Sequence, residues 1–155
     1  MIATADRGNT ALSEKYLVGL DGSECGRRAV EAALRQAKVS HGSVVLSYVI
    51  PWSPFTFSTA EENALRHKRR EEELARAAEQ LLIPEQKRFE AAHITCEIVA
   101  RHGHPAKTLV QLAREHEVSM IIVGVIGDTP LKSRFLGGTA STLIQISPCP
   151  VLVVP

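Results

Sequence analysis

The residues best suited to chemistry lie between Val123 and Thr139, where Gly124, Gly127, Gly137 and Gly138 share one stretch with Asp128, Lys132 and Arg134. The apolar run Ser119 to Val123 before it is short, β-branched and bounded by glycine, the pattern of a buried parallel strand that stops at Gly124. A loop and then a helix follow. A strand that feeds such a loop and a new helix brings backbone N–H groups and a positive helix end to one place, which suits a phosphate. Glycine lets successive amides turn inward and lets a ligand approach the backbone closely. Lys132 and Arg134 add positive charge nearby. The plainer alternative is a glycine-rich turn on the rim of an α/β domain.

Other reactive residue types form weaker patterns. His102 and His104 share a turn, but two histidines without a carboxylate or cysteine at ligand spacing are too few to hold a metal. Cys25, Cys96 and Cys149 are odd in number, widely spaced and without a CxxC pair, as in a reducing cytosol, and imply no metal site. There is no nucleophile paired with a base and no GxxxxGK[ST] loop. Asp128 fits a turn residue, and Asp21 or Asp128 could reach a Mg2+ carried by a nucleotide. Ser23 and Thr139 could accept a phosphoryl group, although N-cap and loop hydroxyl are the preferred roles.

The remaining chain supplies the elements that must position these groups. Its 155 residues suit one domain, with 1–14 as a flexible arm and 15–155 as a single α/β unit. A net charge of +1 gives no footprint for nucleic acid or an anionic membrane. No run approaches the ~20 apolar residues needed to span a bilayer, and the charged N-terminus does not read as a signal peptide. Tyr16 to Leu20 reads as the first strand, Glu24 to Lys38 as an amphipathic helix capped by Ser23, and Ser43 to Val49 as a second strand. This βαβ unit requires a parallel sheet covered on both faces.

Pro51, Trp52, Pro54, Phe55 and Phe57 make residues 50–58 an apolar loop, suited to a lid or dimer contact rather than to ligand stacking. A helical pattern runs from Thr59 to Ala92, with basic residues 66–70 beside Glu71, Glu72 and Glu73 able to pair along a solvated face; Pro84 should interrupt it. Ile94 to Ala100 alternates like an edge strand, Arg101 to Pro105 reads as a turn, and Ala106 to His116 as a helix with Pro105 at its start. Thr139 to Ile146 forms a last helix and Val151 to Val154 a closing strand. Five strands alternate with helices, giving a doubly wound open parallel sheet with helices on both faces. The uncharged final strand, if it is an edge, favours a homodimer built along Val151–Val154.

Three stretches make the chain resemble the universal stress protein family from Tyr16 to Val154. They are Val18-Gly19-Leu20-Asp21-Gly22-Ser23, the Gly124-x2-Gly127-x9-Gly137 spacing, and Ser147-Pro148-Cys149-Pro150 with the strand behind it. The resemblance implies strand order 3-2-1-4-5 and, in the nucleotide-binding branch, ATP at the C-terminal ends of strands one and four. It also implies that the Val49 backbone holds the adenine edge, that Gly19, Leu20 and Asp21 line the base and ribose pocket, and that Val123 and Gly124 form its floor. Gly127, Gly137, Gly138 and Thr139 would take the phosphates; the clamping charge of Lys132 and Arg134 is read from the loop itself and not from the resemblance. Nucleotide-binding members carry Ser or Thr directly after the third glycine, where this chain has Gly138 and then Thr139. Either the loop shifts by one residue or the phosphate loses a hydroxyl bond, worth about 1.5–3 kcal/mol.

The expectation is therefore a cytosolic stress-response or signalling homodimer that binds ATP or AMP, with or without Mg2+, and has an unidentified protein partner. Two alternatives stand beside it: an interaction or scaffold protein of the same fold with a vestigial pocket, and a slow ATPase.

Overall fold

In the computed structural model, residues 13–52, 59–126 and 136–155 are described. The chain builds strand β1 (Lys15–Leu20), helix α1 (Glu24–Ser40), β2 (Ser43–Pro51), α2 (Ala60–Ala77), a π-helical turn (Ala78–Leu82) and α3 (Ile83–Ala91). It continues with β3 (Cys96–Gly103), α4 (Pro105–Glu115), β4 (Met120–Gly124), α5 (Gly138–Ile146) and β5 (Val151–Val154). All strand pairs are parallel, in the order β3-β2-β1-β4-β5.

Alternation within β1 explains the two helical layers. Tyr16, Val18 and Leu20 point to one face, where Ala29, Ala33 and Ala37 of α1 pack with Leu82 and Phe89. Leu17 points to the other, against Leu109, Leu112 and Ala113 of α4 and Leu143 of α5. A central parallel strand buried on both sides needs apolar residues along its buried length, as Tyr16–Leu20 of β1 and nearly all of Val44–Val49 of β2 are. The buried exception is Ser47, whose hydroxyl donates to the Val18 carbonyl at 2.8 Å and so costs little.

The ends of the elements follow local chemistry. Ser23 accepts from the Gly26 amide at 3.0 Å as N-cap of α1, as its position suggested. His41 closes the same helix in the left-handed conformation, its amide bonding to Ala37. Thr59 and Glu62 form a capping box at α2.

Several boundaries differ from the sequence reading. The Thr59–Ala92 pattern is interrupted, but before Pro84 and by a widened turn in which the Ile83 amide reaches the Ala78 carbonyl five residues back. Proline has no N–H to return to residue 80, and the π turn absorbs that loss without ending the helix. β3 starts later and runs further than expected, taking Arg101, His102 and Gly103 from the supposed turn, because β2 extends to Pro51 and pairs with them. The salt-bridged face expected at residues 66–73 is only partly formed: His67 pairs with Glu71 at 3.5 Å, whereas Glu73 turns to His102. The expected edge strands are the observed ones, β3 and β5.

Candidate functional site

Strand order reverses between β1 and β4, whose connections leave the sheet in opposite directions. Gly19 lies in register with Val123, so the turn after Leu20 and the turn after Val123 emerge side by side at the C-terminal rim. Open parallel sheets bind ligands in such a crevice.

Gly22 sits at φ +80°, a left-handed conformation that glycine adopts without strain, and sends the chain from β1 into α1. The Asp21 carboxylate closes this turn: its Oδ1 accepts from the Ser23 amide at 2.9 Å and from the Ser23 hydroxyl at 2.5 Å. Among the described residues its Oδ2 has no hydrogen bond. The opposite turn is tied in by the Val125 amide, which donates to Val154 at 2.7 Å, and by the Gly137 amide, which donates to Val125 at 2.8 Å. The second bond draws the start of α5 back to the end of β4.

Helix α5 opens on the crevice. Its N-cap is Gly137, with no side-chain cap, and the first N–H groups of a helix have no intrahelical partner. Around Gly138 a Cβ would find no atom of the described residues within 4 Å. Among those residues, nothing blocks the approach to the uncapped amides and the positive end of the helix dipole. On the β2 side, β1 pairing stops at Leu20 with Tyr48, which leaves Val49 as the first residue of β2 beyond its neighbour.

The structure thus brings Gly19, Leu20, Asp21, Val49, Val123, Gly124, Gly137, Gly138 and Thr139 to one rim of the sheet. Gly127, Asp128, Lys132 and Arg134 lie outside the described residues, as do Pro54, Phe55, Phe57 and the N-terminal arm through residue 12. Two glycines have packing roles that spacing did not reveal. A Cβ on Gly124 would stand 2.7 Å from the Cys25 backbone carbon, and one on Gly19 would stand 3.1 Å from Leu109 Cδ1. Gly124 thus allows α1 to approach β4, and Gly19 allows α4 to approach β1.

Among the described residues no group of three or more His, Cys, Asp and Glu is placed to hold an ion. His102 Nε2 lies 3.0 Å from Glu73 Oε2, and its ring centroid lies 6.0 Å from that of Trp52. These residues belong to a cleft of ≈ 530 Å³ between the end of β2 and α2. None of the nucleotide-binding candidates from the sequence lines it; its residues 66–73 read from sequence as a solvated face, Trp52 as part of an apolar loop and His102 as part of a turn.

A five-stranded parallel sheet in the order β3-β2-β1-β4-β5, with helices on both faces, places this molecule among the doubly wound α/β proteins. Comparison with known proteins narrows this further: the model of the universal stress protein family matches residues 13–155, and the chain belongs to that family. It is 31% identical over 148 residues to universal stress protein YxiE of Bacillus subtilis, covering 90% of this chain and 97% of that protein. Hypothetical protein MJ0577 has the same fold at TM-score 0.76 and 25% identity, with 91% of this chain and 94% of that one aligned. A universal stress protein in complex with cAMP aligns at TM-score 0.61 and 23% identity, over 92% of this chain and 97% of that one. The Archaeoglobus fulgidus universal stress protein in complex with dAMP aligns at 0.60 and 18%, over 92% and 98%. No helix among the described residues is long and apolar enough to cross a membrane.

Proposed function

We propose that this chain binds an adenine nucleotide, ATP or AMP, at the rim between β1 and β4, and acts as a cytosolic stress-response or signalling homodimer. The observation that carries this reading is the uncapped N-terminus of α5, with no atom of the described residues close to Gly138, where the strand order reverses. The α5 amides, with Gly127, Lys132 and Arg134, take the phosphates. Asp21, Gly19 and Leu20 line the base and ribose side, Val49 offers its backbone to the adenine edge, and Val123 and Gly124 form the floor. The free Oδ2 of Asp21 is available to the ribose or to a nucleotide-borne Mg2+. Thr139, in the first turn of α5, supplies the hydroxyl that Gly138 lacks. The adenine nucleotides held by two proteins of the same fold support this choice of ligand.

Dimerisation follows from the other edge. Among the described residues β5 pairs with β4 alone, its four residues are half-buried and uncharged, and Ile144 and Ile146 of the preceding helix are exposed. A bare apolar edge of this kind pairs with another strand, and a second copy of β5 is the partner at hand.

Mass spectrometry of whatever the purified protein releases on denaturation, with a thermal shift on adding ATP, tests the nucleotide. Release of an adenine nucleotide or a saturable stabilisation is expected. An empty protein indifferent to ATP and AMP sinks the reading and leaves an interaction protein in its place. Sedimentation should give twice the 16.9 kDa chain mass, and a monomer at micromolar concentration would refute the β5 dimer.

A further inference from the structure

The cleft between the end of β2 and α2 has no part in the nucleotide reading, yet its walls are unusual for the inner side of an amphipathic helix. Such a helix turns an apolar stripe toward the sheet. Here residues at helical spacing along α2, Arg66, Arg69, Arg70, Glu73 and Arg76, line the cleft, and Ala77 is the one described residue of α2 that is buried. Four guanidiniums face one carboxylate, and that carboxylate is already engaged by His102. Arg69 and Arg76, without an ion pair of their own among the described residues and set beside Arg70, repel one another, and an anion in the cleft relieves that repulsion.

The floor is apolar. Tyr48 and Ile50 of β2 and Leu81 of the π turn form it, and Trp52 stands at its mouth with the Arg70 guanidinium 4.6 Å from its ring centroid. The Arg70 side chain is thereby held flat, with its fork directed by stacking. The π turn places Gln80 and Leu81 in the wall, and such widened turns often occur where helices serve a site. At ≈ 530 Å³ the cleft falls within the roughly 300–1,000 Å³ of small-molecule sites.

We propose that this cleft binds a small organic anion: a phosphate or carboxylate group held by Arg69, Arg76 and Arg70, on an apolar or flat body that lies against Trp52, Ile50 and Leu81. Arginine forks match both oxyanions bidentately, and the apolar floor selects the organic ligand over the inorganic ion. This site is separate from the β1–β4 rim, although Leu81 approaches both: its Cδ2 lies 3.8 Å from where a Cβ of Gly22 would stand.

The chain has a single tryptophan, so the indole N–H resonance of Trp52 reports on this cleft alone. Phenyl phosphate and benzoate, titrated into the full-length protein, should shift that resonance saturably, while phenol at the same concentrations should not. The double variant Arg69→Glu, Arg76→Glu should weaken both anions by about tenfold or more, with an unchanged circular dichroism spectrum. Arg69→Lys, which keeps the charge and loses the fork, should fall between. Gly138→Asp, which blocks the proposed phosphate position on α5, should leave the phenyl phosphate response intact. The inference is overturned by a Trp52 signal that none of these anions moves, by double-variant affinities equal to wild type, or by inorganic phosphate binding as tightly as phenyl phosphate. It also fails if the Gly138→Asp variant loses the response, which would assign the binding to the nucleotide rim, or if only a polyglutamate peptide, and neither small anion, shifts the resonance.

Discussion

Two crevices open on the C-terminal rim of the sheet, and they are built from different materials. Between β1 and β4 the walls are mainly backbone: the left-handed turn at Gly22, the close approach of Cys25 to Gly124, and the uncapped amides of α5. On the other side of β1, at the end of β2, the walls are long side chains, with arginines of α2 set against Trp52 and an apolar floor. A backbone crevice is fixed by the fold itself, so a change there is felt in stability as well as in binding. A side-chain crevice rests on groups that the core does not need, so its residues should be replaceable at little cost to folding.

The largest test of this contrast is Gly124→Val. Its Cβ would stand 2.7 Å from the Cys25 backbone, which is not a flexible neighbour, so α1 must move away from β4. We expect a loss of about 3 kcal/mol in urea unfolding. A variant as stable as wild type would show that α1 and β4 are not in contact as described. Gly138→Asp should separate binding from folding within the same crevice. An acidic residue in the first turn suits the helix dipole, so the unfolding midpoint should hold or rise. Adenine-nucleotide affinity should fall roughly tenfold, about 1.4 kcal/mol, because the carboxylate takes the place meant for phosphate.

Ser23→Ala removes the cap of α1 and a partner of Asp21, for which about 1 kcal/mol of stability is expected. On the side-chain crevice, Arg69→Glu with Arg76→Glu should change stability by no more than about 0.5 kcal/mol. A cost of several kcal/mol there would erase the distinction between the two crevices.

The smallest effect concerns Cys96, on β3 outside both crevices. Burial pushes its thiol up to about 12, with the nearby Glu90 carboxylate acting in the same direction. The folded state therefore keeps the thiol neutral where the unfolded chain ionises it. The contribution is present in full below the unfolded thiol value of about 8.5 and is lost as pH rises toward about 12. Iodoacetamide at mildly alkaline pH should accordingly modify the half-buried Cys25 and Cys149 well before Cys96.

Part of the backbone crevice was legible in the sequence: a strand ending at Gly124 and a helix behind Gly137 are local signals, and a parallel sheet leaves few places where such turns can meet. Gly127, Lys132 and Arg134, by contrast, lie outside the described residues. The packing duty of Gly124 was not legible, because it depends on Cys25, which is distant in sequence. The side-chain crevice was hidden for a related reason. Arg66 to Arg70 beside Glu71 to Glu73 reads as a solvated, self-paired face, and periodicity alone does not say which side of a charged helix meets the sheet. Pro84 announced an interruption, but the form it took, a π turn that carries Leu81 into the wall, is settled by what α2 and α3 pack against.

The sequence by itself determined the alternation of strands and helices, the burial of β1 and β2 on both faces, and the N-cap at Ser23. These follow from periodicities and caps that act over a few residues. Tertiary structure alone decided that Glu73 would leave its helical neighbours for His102, that Trp52 would stack on Arg70, and that the side of α2 along the cleft would be cationic. Those outcomes depend on which side of a helix a sheet covers, and that choice belongs to the whole set of contacts rather than to any one stretch of chain.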